Sequence, residues 1–449
     1  MKDLLNKYNV PAPRYTSYPT VPLWDTAAWS QQAWQKRVTE AFWINGRELS
    51  LYIHLPYCEN LCTYCGCHKY ITKNHSVEAP YISTVLQEWQ MYLDLMPGKP
   101  ILKELHLGGG TPTFFSPQEL GRLVAGILKD CETQSDTSIS LEGHPSNTTV
   151  EHLQTLYDLG ARRLSLGIQD FDPKVQQTIH RLQSKEEVAH ITQQARKMGY
   201  TSINYDLIYG LPRQSAATIA ATIEAVGHLA PDRIAYYSYA HVPWMRPAQK
   251  SYEHLLPSQE EKLEMYLKGK ELLGMIGYEE IGMDHFSLSQ EELYLAQREG
   301  RLHRNFMGYT TQSTQMAIGL GASAIGDTWD AFAQNEKDIK VYQQLVNQDR
   351  LPVTKGHVHD EADLFFRRQI LNIMCAGKTV WGPLEMDRHG LQINWELIDE
   401  LRCDGLISVD DQSLTVTLLG RQFLRNISMA FDARLGESKR AQPSFSQAI

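Results

Sequence analysis

LSLYIHLPYCENLCTYCGC, residues 49–67, sets a short apolar run directly against a loop crowded with cysteine. Four of the chain's seven cysteines fall within the ten residues from Cys58 to Cys67. The apolar run LSLYIHL has the length and composition of a buried strand, and Pro56 ends it. The loop that leaves this strand carries thiols at C-x3-C-x2-C spacing, with Cys67 two residues beyond the third.

Outward from this stretch the same strand-like unit recurs. ELHLGGG, ISLEGH, RLSLGIQ, INYDLIYG and RIAYYSYAH follow in order, the last ending at His241. Longer amphipathic segments such as YISTVLQEWQMYLDL and SPQELGRLVAGILKD lie between them. Strands alternating with helices imply βαβ units and a parallel sheet. Six such units point to an α/β fold, a partial (β/α)6 barrel, with a Rossmann-type sheet as the competing arrangement. Before the barrel lies an arm, residues 1–49, whose PAPRYTSYPTVP is rich in prolines that forbid regular helix. Residues 50–360 hold the barrel and a less periodic extension with NFMGYTTQ and AIGLGASAIGD. Residues 361–449 read as a small, mainly helical, winged-helix-like domain: helices at DLFFRRQILNIM and NWELIDELRCDG, a hairpin at LISVDDQSLTVT, then a helix at GRQFLRNISMAF. The tail SKRAQPSFSQAI is expected to be loosely held.

The 449 residues are 42% hydrophobic, enough for a large core. A net charge of −9 counts against a nucleic-acid partner. No apolar run reaches the roughly 18 residues needed to span a bilayer, so no membrane partner is expected. MKDLLNKYNVPAPRY lacks the apolar core of a signal peptide. The expected compartment is the cytoplasm, where thiols stay reduced and clustered cysteines suggest metal or catalysis. Cys131, Cys375 and Cys403 are scattered and read as inert buried thiols.

In a parallel barrel the carboxyl ends of the strands face the active site. Those ends carry Tyr52 and His54, then Gly108-Gly109-Gly110-Thr111, then Glu142 and His144, then Gln169 and Asp170, then Asp206, then Tyr239-Ala240-His241. Glu142, Gln169 and Asp206 sit inside or against apolar runs, where a buried polar group needs a partner. Three consecutive glycines exceed what a tight turn requires. They would let the backbone approach a ligand and expose its N–H groups to a carboxylate or amino group.

A structural zinc site needs four ligands, commonly two separated pairs. Here no second pair follows, although Cys67 and His68 offer a cramped completion. Three thiolates on one loop favour an iron–sulfur cluster, which normally takes four cysteines, so that one iron would stay open.

The C-x3-C-x2-C loop after the first strand resembles the radical S-adenosylmethionine (SAM) superfamily. PRYTSYPT (13–20), YIHLPYCENLCTYCGC (52–67), LHLGGGTPT (105–113), GIQDF (167–171), DLIYGLP (206–212), NFMGYTTQ (305–312) and LLGRQFLRNISMAFD (418–432) narrow it. Together they resemble the oxygen-independent coproporphyrinogen III dehydrogenase family nearly end to end. Glu142-Gly143-His144-Pro145 departs from the family's more frequent Glu-x-Asp-Pro.

That resemblance implies a [4Fe–4S] cluster on Cys58, Cys62 and Cys65, and two SAM molecules. The first would contact Tyr52, Gly109, Glu142 and Ile325. The second would contact Tyr64, Gly110, Thr111, Gln169, Arg181, Asp206 and Ala240. It further implies catalytic roles for Cys67, Tyr52 and Glu142, with Cys67 near the radical chemistry and not a cluster ligand. The implied substrate is coproporphyrinogen III, two of whose propionates become vinyl groups in heme biosynthesis. The implied electron donor is a reduced flavodoxin- or ferredoxin-type protein, and the enzyme is expected to be a monomer. The rival readings are a heme-binding chaperone on the same barrel and a radical SAM enzyme acting on heme. For four propionates the candidate partners are Arg14, Arg162, Arg163, Arg246 and Arg304, with Arg14 foremost on an arm expected to act as a lid.

Overall fold

The computed structural model describes residues 2–436 together with Phe445 and Gln447. Apart from those two residues, the tail expected to be loosely held lies outside the described residues.

The six apolar runs are six parallel strands: β1 (Glu48–Leu55), β2 (Ile101–Gly109), β3 (Glu132–Gly143), β4 (Ala161–Gln169), β5 (Ser202–Tyr209) and β6 (Arg233–Ser238). They pair in sequence order, β1 with β2 through to β5 with β6. In β1 only Glu48 and Tyr52 escape full burial. Such near-continuous burial is what a parallel strand covered on both faces requires. The covering helices include Glu78–Leu95, Pro117–Leu128, Lys185–Met198 and Ala216–Leu229. Their starts are written locally: Ser116 caps one ahead of Pro117, and Ser184 with Glu187 forms a capping box on another.

The parallel sheet is the centre of a larger one. Strands β7 (Tyr278–Gly282), β8 (His285–Leu288), β9 (Ala317–Leu320), β10 (Ile325–Asp327), β11 (Ala331–Asn335) and β12 (Val353–Val358) extend it. The order is β12-β11-β10-β9-β1-β2-β3-β4-β5-β6-β8-β7. β9 runs parallel to β1, and the added strands beyond it are antiparallel. The less periodic stretch of the sequence therefore supplies these six strands, with a helix at Gln259–Met275 ahead of them and helices at Glu292–Arg298 and Ile339–Asn347 between them. AIGLGASAIGD holds β9 and β10, whose four and three residues are too short to show a period.

The C-terminal segment has helices at Glu361–Ala376, Pro383–His389 and Trp395–Cys403, and the expected hairpin at Ile407–Val409 and Ser413–Val416. A third strand, Lys378–Val380, pairs with that hairpin. The helix expected across GRQFLRNISMAF breaks instead. A 3-10 turn, Gly420–Phe423, gives way to an α-helix at Leu424–Met429, with Phe423 outside helical geometry.

The arm joins both units. Arg425 donates Nε–H to the Pro13 carbonyl at 3.0 Å, and Asn426 donates to the Tyr8 carbonyl at 2.8 Å. Tyr15 donates its hydroxyl to Asp432 at 3.0 Å, and His359 Nε2 lies 3.0 Å from the Tyr18 carbonyl. Tyr15 and Tyr18 are buried against the C-terminal helices. Their rings are therefore packing, and they do not present flat faces to a substrate as a lid would. Arg14 turns the other way, donating to Asp284 at 2.6 Å beside the Tyr237 ring.

Among the scattered cysteines only Cys131 is buried. Cys375 is half-buried and Cys403 is exposed at the end of its helix.

Candidate active site

The cysteine loop is held from several sides. Tyr57–Cys58 pairs with Tyr70–Ile71, Thr63 N–H donates to the Ile179 carbonyl at 3.1 Å, and Lys69 Nζ donates to the Cys65 carbonyl at 3.0 Å. Arg246 donates to the Gly66 and Cys67 carbonyls. It is thus a clamp on this loop, which corrects its reading as a propionate partner. Gln249 bridges the Tyr64 and Ala240 carbonyls, both at 3.2 Å, tying the loop to the end of β6.

Cys58, Cys62 and Cys65 line one cavity of about 700 Å³, with Lys69 and Arg181 among its walls. All three thiols are free. Cys58 Sγ lies 3.3 Å from Thr111 Oγ1, and Arg181 Nη1 donates to Cys62 Sγ at 3.6 Å. Burial pushes the Cys58 thiol up to about 11. Cys65 is pushed down to about 5, first by a hydrogen bond with Cys67 and further by the Lys69 ammonium. Cys67 moves upward, because its partner Cys65 keeps the negative charge. Among the described residues no three His, Cys, Asp or Glu side chains converge on one point as a single metal ion would need. Thiolates that ligate separate irons of a cluster need not converge, so three free thiols beside two cations suit a cluster as a donor set.

A second cavity, of about 380 Å³, lies beside the first and inside the strand ends. Tyr64, Cys65, Cys67, Gly110, Thr111 and Arg181 form its loop side. Gly109, Glu142, Gln169, Asp206 and Ala240 form its strand side. Tyr52 and Ile325 stand outside this wall. The Tyr52 ring stacks on His106 at 5.9 Å and its hydroxyl lies 3.0 Å from His54 Nδ1. Ile325 opens β10, its backbone pressed against Gly319 of β9, which neighbours Tyr52 across the sheet.

The glycine turn works differently from its sequence expectation. Gly109 N–H donates to Glu142 at 3.1 Å, Gly110 N–H to the Leu55 carbonyl at 2.8 Å and Thr111 N–H to the Tyr57 carbonyl at 3.1 Å. The N–H groups are spent inside the protein and do not face a ligand. What requires glycine is closeness. A Cβ on Gly110 would stand 2.6 Å from the Pro56 carbonyl oxygen, and Gly109 has φ +121° with the His54 ring 2.9 Å from such a Cβ.

Two carboxylates meet across the cavity. Burial raises the Glu142 pKa, but the His106 ring at 3.3 Å and the Gly109 N–H outweigh it, holding the carboxylate below its ordinary value. Asp206 goes the other way, pushed up to about 6 by burial and by the Glu142 charge, against hydrogen bonds from Asn204 at 2.8 Å and Ser165 at 3.4 Å. Such a pair favours a cationic ligand between them. Gln169 adopts φ +66°, which turns its side chain toward the cavity. Asp170 is buried away from it, receiving Thr222 at 3.3 Å and the Asp172 N–H at 2.5 Å. His144, where the family pattern has aspartate, also lines the cavity, its pKa driven down to about 3 by burial and Arg181.

Sequence reasoning missed His106, Asn204, Ser165 and Gln249. The first two were findable: His106 precedes Gly108 by two and Asn204 precedes Asp206 by two, so each shares a strand face with a chosen residue. Of the remaining arginines, Arg162 covers the Tyr157 ring at 3.8 Å from its centroid and donates to the Tyr157 and Ala161 carbonyls, which holds it on its own helix–strand unit. Arg163 points into the barrel, 3.7 Å from Glu104.

A family profile described as the radical SAM superfamily matches residues 52–226. The oxygen-independent coproporphyrinogen III oxidase of Escherichia coli K12 is 38% identical over 452 residues, covering 99% of this chain and 98% of its own. The enzyme of the same name from Pseudomonas aeruginosa is 37% identical, covering 100% and 98%. A solved structure of E. coli coproporphyrinogen III oxidase, a radical SAM enzyme, superposes with TM-score 0.87 at 36% identity, covering 93% of this chain and 97% of that one. With its cysteine loop, glycine turn and paired carboxylates set on six parallel strands, the chain belongs to the oxygen-independent coproporphyrinogen III oxidase family of radical SAM enzymes.

Proposed function

We propose that the protein converts two propionates of coproporphyrinogen III to vinyl groups, giving protoporphyrinogen IX, by a SAM-dependent radical decarboxylation. The observation that carries this reading is the adjacency of three free thiols to a cavity walled by Glu142 and Asp206, within a chain alike end to end to oxidases of that name. Cys58, Cys62 and Cys65 would hold a [4Fe–4S] cluster. With SAM bound, that cluster supplies a 5′-deoxyadenosyl radical, an oxidant able to take hydrogen from an unactivated carbon.

The chain's own part is binding, charge and exclusion of water. Glu142, kept ionised by His106 and Gly109, offers a fixed negative charge to the sulfonium and ribose of SAM. Tyr52, Gly109 and Ile325 would contact that first molecule with it. Tyr64, Gly110, Thr111, Gln169, Arg181, Asp206 and Ala240 would receive a second. Cys67 lines the same cavity and would act on the substrate and not as an iron ligand. Loss of a hydrogen atom from the propionate β-carbon leaves a carbon radical. Departure of CO2 and transfer of one electron to an acceptor then complete each vinyl group. The units 1–49, 50–360 and 361–449 would serve as strap, catalytic barrel with extension, and closing domain. A reduced flavodoxin- or ferredoxin-type protein would supply the electron to a monomer in the cytoplasm. Among the described residues no helix is long and apolar enough to cross a membrane.

An anaerobic assay with coproporphyrinogen III, SAM and a reductant tests the reading. Protoporphyrinogen IX with two CO2 released per ring is expected. SAM cleavage without decarboxylation would overturn it.

A further inference from the structure

Tyr64, Cys65, Gly110, Thr111, His144 and Arg181 line both the thiol cavity and the strand-end cavity beside it. The function above uses the other five and leaves His144 without a part. His144 stands two residues beyond Glu142, just past the end of β3, where the family more often carries aspartate. Its backbone N–H donates to Thr113 Oγ1 at 3.4 Å, and Thr111 on the same turn lies 3.3 Å from Cys58 Sγ. From another side, the Arg181 guanidinium that donates to Cys62 Sγ also acts on the His144 ring. The ring is thus held among the neighbours of two of the three thiols.

Its hydrogen bonds fix where its proton sits. Ser146 N–H donates to His144 Nδ1 at 3.2 Å, so Nδ1 is an acceptor. Burial and the Arg181 charge keep the imidazole neutral. A neutral imidazole whose Nδ1 accepts carries its proton on Nε2. Among the described residues Nε2 has no hydrogen-bond partner, and it is not sealed from the cavities that the ring lines. An N–H donor without a protein acceptor therefore borders the space where the thiols gather. Aspartate at this position would offer the reverse, a charged acceptor with no proton.

We propose that His144 tunes the iron–sulfur cluster, donating its Nε2–H to a sulfur of the cluster or of its cysteine ligands. A cluster gains negative charge when it takes an electron. A fixed N–H dipole aimed at its sulfurs favours the reduced form, and a nearby carboxylate disfavours it. His144 thereby makes the cluster of this chain easier to reduce than aspartate at the same position would. The proposal rests on the cluster reading above and deepens it by naming a residue that sets the potential.

The test is a redox titration, read by EPR, of the reconstituted protein without SAM, so that no bound carboxylate intervenes. His144→Phe removes the donor and adds no charge. At a fixed potential it is expected to lower the ratio of reduced to oxidised cluster about tenfold, which is about 59 mV for one electron. His144→Asp is expected to lower it further. His144→Gln keeps an N–H and is expected to stay within about threefold of wild type. Labelling with [15N]histidine gives a reading that does not depend on the phenylalanine variant. Pulsed EPR of the reduced wild-type cluster should show a weak nitrogen coupling that His144→Gln removes. Wild type with no four-iron signal would overturn the cluster reading itself. A normal signal with His144→Phe titrating as wild type, or with no coupling lost in His144→Gln, would overturn the role of His144 alone. His144→Gln falling as far as His144→Phe would assign the residue to packing and equally reject the proposal. A strong coupling, as from nitrogen bound to iron, would make His144 a ligand and reject it too.

Discussion

Glu142 Oε2 accepts the backbone N–H of Gly109 at 3.1 Å, so the carboxylate that faces the cavity also fixes the glycine turn beneath it. Position and charge can be separated by substitution. Glu142→Gln keeps an acceptor for Gly109 and should melt within a few degrees of wild type. Its SAM affinity, read by equilibrium dialysis, should fall about tenfold or more with the charge gone. Glu142→Ala strands the Gly109 N–H and should cost a further ~1–3 kcal/mol of stability. A glutamine variant with wild-type SAM affinity would show that the charge is not needed.

The pH dependence of SAM binding should report Asp206. Its folded pKa of about 6 lies above the ordinary carboxylate value. A cation favours the ionised form, so SAM affinity should rise through pH 6 and fall below it, by up to about tenfold per pH unit. Asp206→Asn should bind more weakly at pH 7.5 and show a flatter profile. An unchanged profile in that variant would locate the titration elsewhere.

Cysteine substitutions separate ligand from participant. Cys58→Ser, Cys62→Ser and Cys65→Ser should each lose iron after anaerobic reconstitution. Cys67→Ser should retain a full four-iron complement and lose product. Iron loss in that variant would make Cys67 a ligand.

Glu88 offers a test of stability away from the site. Its buried carboxyl accepts Tyr342 and Asn335, each at 2.6 Å, and the Gly321 N–H at 2.8 Å. Burial pushes its pKa up to about 7 despite these donors. With a folded pKa above the unfolded value, its contribution is fully present below about pH 4.5 and declines as pH rises through 7. Glu88→Gln should remove that slope between pH 5 and 7. It should also cost ~1–3 kcal/mol, because the amide NH2 must face a donor. Asn335 cannot turn to accept it without losing its bond to the Gly321 carbonyl at 2.9 Å. Thermal melts at three pH values would decide.

The parallel strands were legible because burial on both faces leaves long apolar runs. LSLYIHL and RLSLGIQ coincide with β1 and β4 to within a residue or two. β9 and β10 were not, since three or four residues carry no period and owe their conformation to pairing, β9 with β1 and β10 with β9 and β11. The acidic residues of the site were legible as polar groups stranded in apolar runs. The use of the glycine N–H groups was not. It depends on the Leu55 and Tyr57 carbonyls coming to meet the turn, a contact between segments about fifty residues apart. Arg246 misled for the same reason, since only the fold shows that it faces the Gly66 and Cys67 carbonyls.

The union of the arm with the C-terminal helices also dictates a timetable. Tyr15 and Asp432 are 417 positions apart. At ~5–20 residues per second, Tyr15 leaves the ribosome roughly 20–80 s before its partner is made. Through that interval Arg14 can already meet Asp284, but the side of the dock built by residues 423–432 is missing, and Tyr15 has no hydroxyl partner. A nascent chain stalled before residue 432 should accordingly be cut by protease within residues 11–20 while its barrel resists. Only emergence of Asp432 lets residues made hundreds of positions earlier become among the last to settle.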